Sequence, residues 1–242
     1  MTYDHAAAWA AGPDRVYRRL AAAAIALLPD DLHGRLALDA GAGTGAASVA
    51  LAARGARTLA MDLSPAMVRL APGPSFAADI GHIPMGTHTV AVCVSNLVLS
   101  HVDDQAAALA ELLRVTQPGG PVLATAFPSG PAHPVKQIAD RILAAAGYES
   151  PQWYADLKDG GEARAEAFLR QATAATRIDV DVSMLSPDDL AGWRLGMAQV
   201  GDFLEGRPGD DRDRIRAAIR AEVAALPAIP PIGLVAGIAR QR

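Results

Sequence analysis

The sequence is poor in the residues that form disulfides, metal clusters and nucleic-acid surfaces. Cys93 is the only cysteine among 242 residues, so neither an intrachain disulfide nor a cysteine-based zinc cluster can form. Lysine occurs only at Lys136 and Lys158, and no basic run is present, which argues against a nucleic-acid partner. His82 and His133 have no metal-ligand spacing with other groups, and we expect no metal. A single cysteine within an apolar strand fits a buried side chain and a reducing cytoplasm.

Long hydrophobic runs are also missing. The apolar stretch Leu20–Leu28 follows Arg15, Arg18 and Arg19, an order that a signal peptide also has. It is far shorter than the roughly 20 residues of a membrane span. Pro29–Asp31 follows it in place of a small-residue cleavage site. We therefore expect an alanine-rich helix, no membrane partner and a cytoplasmic protein.

The sequence contains enough apolar residues to form one hydrophobic core. Hydrophobic residues make up 51% of the chain and charged residues 20%, with a net charge of −4. This composition fits a single α/β domain.

Short apolar runs alternate with helical runs from residue 35 onward, which predicts βαβ units and a parallel sheet with helices on both faces. The predicted strands are Arg35–Asp39, Arg57–Met61, Ser75–Ala77, Val90–Ser95 and Pro121–Phe127. The predicted helices between them are Gly45–Arg54, Pro65–Leu70 and Asp104–Thr116.

The pattern changes after Phe127, where several prolines interrupt the chain. We predict further helices at Val135–Ala146, Pro187–Leu204 and Asp211–Leu226, a loop at Tyr148–Asp159, and two late strands at Arg177–Met184 and Ile232–Ala239.

A glycine-rich turn follows the first strand, in the segment Leu36–Gly45. Glycines allow tight turning there and let a nucleoside ligand approach the backbone. Such a turn can also exist without any ligand. Gly41, Gly43 and Ala46 would even satisfy the dinucleotide-binding pattern, so the cofactor stays open on this motif alone.

Acidic residues stand at the ends of three successive strands: Asp39, Asp62 and Asp79. An acid about 20 residues past a glycine loop suits hydrogen bonding to a ribose diol, and Asp62 has that place. Taken singly, Asp62 could instead cap the helix that begins near Pro65, and Asp79 could be a turn residue. Three acids in this arrangement favour a shared site.

These motifs resemble the class I S-adenosylmethionine-dependent methyltransferases, in the small-molecule branch called type 11, over Asp39–Phe127. The resemblance implies that Asp39, Gly41, Ala42 and Gly43 form the methionine side of a cofactor site. It further implies ribose contacts from Asp62, adenine contacts from Leu63, Asp79 and Ile80, and backbone contacts to the methionine near Ser95 and Asn96.

Two arguments from the residues favour this cofactor over nucleotides. The glycine turn lacks the Lys-Ser/Thr ending of a triphosphate cradle. Asp39 would repel a pyrophosphate, whereas it suits the ammonium and sulfonium charges of S-adenosylmethionine. An NAD-dependent oxidoreductase remains a weaker alternative. A protein that binds S-adenosylmethionine without transferring methyl remains open as well, because fold does not fix chemistry.

The resemblance also implies an architecture, a Rossmann-like, mostly parallel seven-stranded sheet with an antiparallel last strand and helices on both faces. We expect a single domain in three parts: an N-terminal helical lid at 1–30, a cofactor-binding core at 35–127, and substrate-side helices with the last two strands at 128–242. The expected reaction is methyl transfer to a small-molecule acceptor. The alanine- and arginine-rich composition hints at a bacterial specialised pathway.

Five residues are candidates for the acceptor side of the site. His101 follows the fourth strand and is the candidate general base; the alternative is a polar loop residue. Tyr3 and Trp9 could form a lid over the cofactor, or a frayed terminus. Trp193 and Met197 could line an apolar acceptor pocket, although such residues at helical spacing are also ordinary core.

Overall fold

The computed structural model describes residues 5–28, 31–156, 160–170, 172 and 174–241. Seven strands form one sheet in the order β3-β2-β1-β4-β5-β7-β6. The strands are β1 Leu36–Ala40, β2 Arg57–Asp62, β3 Ser75–Ala77, β4 Val92–Asn96, β5 Pro121–Ala126, β6 Ala174–Val180 and β7 Ile232–Arg240. β7 lies antiparallel between β5 and β6, and the pairs among β1 to β5 are parallel. The predicted Rossmann-like fold with an antiparallel last strand is confirmed.

Helices cover the sheet and its carboxyl edge. They are α1 Ala6–Ala11, α2 Pro13–Ile25, α3 Ala46–Ala53, α4 Pro65–Val68, α5 Gln105–Val115, α6 Pro134–Ala145, α7 Gln152–Asp156, α8 Glu162–Leu169, α9 Pro187–Leu195, α10 Ala198–Glu205 and α11 Gly209–Ala224. A short 3-10 helix, Leu99–His101, follows β4. No helix in the described part of the chain is both long and apolar enough to cross a membrane.

Both faces of the sheet are buried, which explains why its strands read as continuous apolar runs. Successive strand residues point to opposite faces. Ala37 packs in one cluster with α2 and α3, whereas Leu38 packs in another with α5 and α8. β4 behaves in the same way, with Val92 in the first cluster and Cys93 in the second.

Three predictions for the second half of the chain were wrong. The sixth strand is Ala174–Val180 and not Arg177–Met184. The predicted helix Pro187–Leu204 is two helices, because Gly196 ends α9 and Met197 takes an extended conformation before α10. Of the predicted loop Tyr148–Asp159, the described part contains helix α7, and α8 follows it unpredicted.

Glycines join the N-terminal helices to α9 and its C-cap by direct backbone contact. A Cβ added to Gly12 would overlap the carbonyl of Gly192, and one added to Gly196 would overlap the carbonyl of Ala8. We call this contact the glycine seam. α2 continues from it into the core, where Leu20 is fully buried.

Candidate functional site

The glycine turn lies where β1 ends, and it is tied to the end of β2. The amides of Gly41 and Ala42 both donate to the Met61 carbonyl, at 2.7 and 2.8 Å. Gly41 has φ of +78°, a left-handed conformation that favours glycine. A Cβ on Gly41 would also collide with both methyl groups of Val98. The turn therefore needs glycine at this position for two separate reasons.

Asp39 lies beneath the turn and is only 1% exposed. The amide and the hydroxyl of Ser48 both donate to its Oδ2 atom, each at 2.7 Å. Burial, with a smaller contribution from the charge of Asp62, raises the pKa of Asp39 to about 6 against the opposing hydrogen bonds from Ser48. At neutral pH the carboxylate is thus ionised but incompletely compensated, which suits a cationic neighbour.

Asp62 ends β2 and holds the turn from the other side. Its Oδ2 accepts the Gly43 amide at 2.7 Å, and its Oδ1 accepts the Ser64 amide at 2.8 Å. Burial raises the pKa of Asp62. The helix cap of α4 is Ser64, whose hydroxyl accepts the Met67 amide at 3.3 Å, so the alternative reading of Asp62 as that cap was wrong. Leu63, the next residue, leaves 66% of its surface exposed.

Asp79 and Ile80 follow β3 at the same edge of the sheet, because β3 runs parallel to β2 with Ala77 opposite Asp62. Asp79 is exposed, and its Oδ1 accepts the Gly81 amide at 2.8 Å. The Asp79 carboxylate therefore stabilises a turn, as in the alternative interpretation, and it remains exposed to solvent. Ile80 is buried against the core.

The end of β4 is held in a strained conformation next to the turn. The Thr125 hydroxyl donates to the Asn96 side-chain oxygen at 2.8 Å and accepts the Leu97 amide at 3.0 Å. Leu97 has φ of +63°, which is costly for a residue with a side chain. Ser95 is completely buried, and its hydroxyl has no hydrogen-bond partner among the described residues. Any contact that Ser95 makes to a ligand at this edge would thus involve its backbone.

A small cavity of about 40 Å³, which we call the inner cavity, lies beside the 3-10 helix. Its walls come from segments that are far apart in sequence. They are Trp9, Tyr17, Leu97, Ser100, His101, Phe127, Lys136, Trp153, Tyr154, Glu162, Met197 and Gln199. A space of this size holds little more than a water molecule, so an acceptor could enter only if a wall moved.

His101 borders the inner cavity, as the acceptor-side hypothesis requires. The residue as a whole is exposed, although many protein atoms lie around the ring. Desolvation by these atoms lowers the pKa of His101 to about 4, so its imidazole is neutral at physiological pH. A neutral ring can accept a proton, although a pKa this low makes it a weak base.

The predicted lid and pocket residues fall in different places. Trp9 and Met197 line the inner cavity. Trp193 does not line it, because the side chain is fully buried and lies against His133, with ring centroids 5.6 Å apart. Tyr3 lies outside the described residues.

Sequence analysis missed Lys136, which lines the inner cavity and is 6% exposed. A signal was present in the sequence. Lys136 stands three and seven residues before Ala139 and Leu143, which places a cation on the apolar face of α6.

A wider cleft of about 660 Å³, the outer cleft, shares Trp153 and Gln199 with the inner cavity. At its rim the two ring nitrogens of His5 lie 2.9 Å from carboxylate oxygens of Asp202 and Glu205. These three residues form the one group of possible metal ligands found among the described residues. Both imidazole nitrogens are already hydrogen-bonded to acids, so we interpret the group as an ion-pair cluster.

Comparison with known proteins finds a family match over the part of the chain that holds this site. Residues 38–124 match the type 11 family described as Methyltransferase domain. Over residues 38–124 the chain thus resembles the class I, S-adenosylmethionine-dependent methyltransferases.

Two curated relatives share part of the sequence. The chain is 40% identical over 102 residues to malonyl-[acyl-carrier protein] O-methyltransferase of Serratia marcescens, covering 40% of each chain. It is 36% identical over 142 residues to demethylmenaquinone methyltransferase of Thermobifida fusca, covering 54% of this chain and 57% of that one. The matches thus span about half the length of these relatives.

A solved structure from Anabaena variabilis, described as a methyltransferase from an antibiotic biosynthesis pathway, shares the fold. Its TM-score is 0.57 at 17% identity, and the match covers 90% of this chain and 96% of that one.

Proposed function

We propose that this protein binds S-adenosylmethionine at the carboxyl edge of its sheet and transfers the methyl group to a small-molecule acceptor. The observation that carries the proposal is the glycine turn, which Asp62 holds by a hydrogen bond from the Gly43 amide and beneath which the Asp39 carboxylate is buried. The turn lies at the carboxyl edge of the sheet, where ligands bind in open α/β folds.

The residues at this edge fit the cofactor. Gly41 keeps the turn open where a side chain would collide with Val98. Asp39 offers an incompletely compensated negative charge for an ammonium or a sulfonium. Leu63 presents an exposed apolar side chain beside Asp62, which suits an adenine ring next to a ribose.

S-adenosylmethionine, when bound, supplies a methyl group that is already activated on a sulfonium. The chain's own contribution is then chiefly to hold and orient the acceptor, which can be worth about 7–11 kcal/mol. The inner cavity meets the edge of the sheet at Leu97, so it is the place for the acceptor. The neutral His101 ring in its wall can accept a hydrogen bond or a proton from an acceptor hydroxyl.

The nature of the acceptor follows from the walls of the inner cavity. Tyr17, Phe127, Trp153 and Tyr154 give it an aromatic lining, which suits a small molecule with an apolar body. Both curated relatives carry methyltransferase names with distinct acceptors, a malonyl-[acyl-carrier protein] and a demethylmenaquinone. The alanine- and arginine-rich composition is the ground on which we propose a role in bacterial specialised metabolism.

Calorimetric titration with S-adenosylmethionine and S-adenosylhomocysteine tests the cofactor. We expect micromolar binding that Asp62→Ala weakens about 100-fold. The control Asp210→Ala, at an exposed position of α11, should leave it unchanged. Absence of binding to both ligands would refute the proposal. Binding followed by no methyl transfer across an acceptor screen, read by mass spectrometry, would favour a binding protein without transferase activity.

A further inference from the structure

Lys136 is an unusual cation in this chain. Apart from Lys158, every other basic side chain that is permanently charged is an arginine. Lys136 lies on the buried face of α6 beside Val135 and is 6% exposed. An ammonium is more strongly hydrated than a guanidinium, so lysine is the less favourable cation to bury for structural reasons.

The surroundings of Lys136 hold its charge at the inner cavity. The ammonium nitrogen lies 4.6 Å from the centroid of the Phe127 ring and 4.8 Å from that of Trp193. Two aromatic faces at this distance attract a cation and shield it from bulk water. The same side chain forms part of the cavity wall together with His101 and Leu97. A cation is thus presented, with little water around it, to whatever molecule occupies the cavity.

We propose that Lys136 anchors the acceptor by binding an oxyanion, such as a carboxylate or an ionised enol, carried on an apolar body. This inference rests on the proposed function, since it takes the inner cavity as the acceptor site. A charge-assisted hydrogen bond in a site with little water is strong and directional. It would fix the acceptor by its oxyanion while the aromatic walls hold the apolar body.

Glu162 also lines the inner cavity, and its carboxylate would favour a cationic acceptor over an anionic one. If the acid dominated the cavity, an ammonium compound would bind better than a carboxylate. If Lys136 had only a structural role, its replacement would lower the affinity of the cavity for all ligands to the same extent. Probes of equal shape and different charge separate these cases.

Tryptophan fluorescence reports on the cavity, because two of the three tryptophans line it and the third contacts Lys136. The two are Trp9 and Trp153, and the third is Trp193. We would titrate the protein, saturated with S-adenosylhomocysteine, with cyclohexanecarboxylate, cyclohexylmethanol and cyclohexylmethylammonium, none of which absorbs at the excitation wavelength. We expect saturable binding of the carboxylate, with an affinity at least about tenfold above that of the alcohol.

Lys136→Met should abolish the preference for the carboxylate while the alcohol binds as before. Arg141→Met, which removes an exposed cation from the same helix, should change neither affinity. Glu162→Gln should keep or increase the preference. The proposal is overturned if the carboxylate shows no saturable binding, if the ammonium binds best, or if Lys136→Met keeps the preference.

The two proposals fail in distinguishable ways. S-adenosylhomocysteine binding is measured separately by calorimetry, and its absence would refute the cofactor proposal alone. The carboxylate preference can then still be read in the ligand-free protein, where its loss in Lys136→Met would remain informative about the cavity.

Discussion

The backbone amide of Gly43 donates a 2.7 Å hydrogen bond to the Asp62 carboxylate, and this bond joins the turn after β1 to the end of β2. The Ser64 amide occupies the other carboxylate oxygen. The proposed ribose-binding group is therefore positioned before any ligand arrives.

Replacement of Asp62 should weaken cofactor binding in graded steps. Asp62→Ala removes the acceptors for a ribose diol and leaves the Gly43 amide without its partner. Hydrogen bonds to charged groups contribute about 1.5–3 kcal/mol each, so we expect a loss of about 100-fold in S-adenosylhomocysteine affinity. Asp62→Asn keeps one acceptor oxygen and should lose about tenfold. Equal affinities in calorimetry for all three proteins would exclude a ribose role.

Replacement of Asp39 should stabilise the protein at alkaline pH and weaken cofactor binding. The native pKa of Asp39, about 6, lies above the unfolded value of 3.8. The native state thus binds the proton more tightly, and ionisation as the pH rises through 6 costs native stability. Asp39→Asn avoids that cost, and we expect it to be more stable than wild type by up to about 3 kcal/mol at pH 8. Urea unfolding at pH 8 and pH 4 measures this, and the difference should shrink at pH 4.

Gly41→Ala should destabilise the protein more than Gly119→Ala. Both glycines have a left-handed backbone, with φ of +78° and +75°. A Cβ at Gly119 meets no atom within 4 Å, whereas one at Gly41 meets Val98. The control variant should cost about 1 kcal/mol from backbone strain, and Gly41→Ala should exceed it. Adding Val98→Ala should recover part of the excess; failure to do so in thermal unfolding would show that the collision is not the cause.

His101 should make the protein less stable in mild acid. Its native pKa of about 4 lies below the unfolded value of 6.5. Between these values the unfolded chain binds a proton that the native state does not, so stability falls as the pH drops from 6.5 towards 4. In His101→Gln this contribution disappears, and its unfolding free energy should fall less over the same range. Parallel pH profiles for the two proteins would contradict the lowered pKa of His101.

The His5 cluster should release the N-terminal segment as the pH rises. Hydrogen bonds and charges from Asp202 and Glu205 outweigh burial and raise the pKa of His5. A raised native pKa gives stability that is fully present below pH 6.5 and lost as the pH rises through the native value. The protection factors of the α1 amides, which correct for the intrinsic rise of exchange with pH, should therefore fall at higher pH. His5→Gln should exchange faster even at pH 6 and should show no such pH step.

Local and distant parts of the site differed in how far sequence could predict them. The turn, Asp39 and Asp62 lie within one βαβ unit, so strand ends and spacing were enough to bring them to one edge. The inner cavity needs Trp9, Lys136 and Met197, which come from separate helices. Whether these residues lie together depends on how the helices pack, and the local sequence pattern does not predict that packing.

Helix α8 was missed for a related physical reason. Its buried side includes Glu166, which accepts the amide and the hydroxyl of Ser129 at 2.6 and 2.5 Å. These bonds and Arg170 lower the pKa of Glu166 to about 2. A charged residue on the inner face interrupts the apolar periodicity that would reveal the helix. Its partner, Ser129, lies 37 positions away.

The glycine seam has a consequence for the way molecules reach the inner cavity. In the glycine seam the backbones touch directly, and no side chain lies between them that could change rotamer. We therefore expect the N-terminal helices and α9 to move as one rigid body. α7 carries no buried residue, and its Trp153 separates the inner cavity from the outer cleft. The passage should therefore open on the α7 side. Substitutions in α7 could then change how fast acceptors enter and which acceptors bind, without disturbing Asp39, the glycine turn or Asp62.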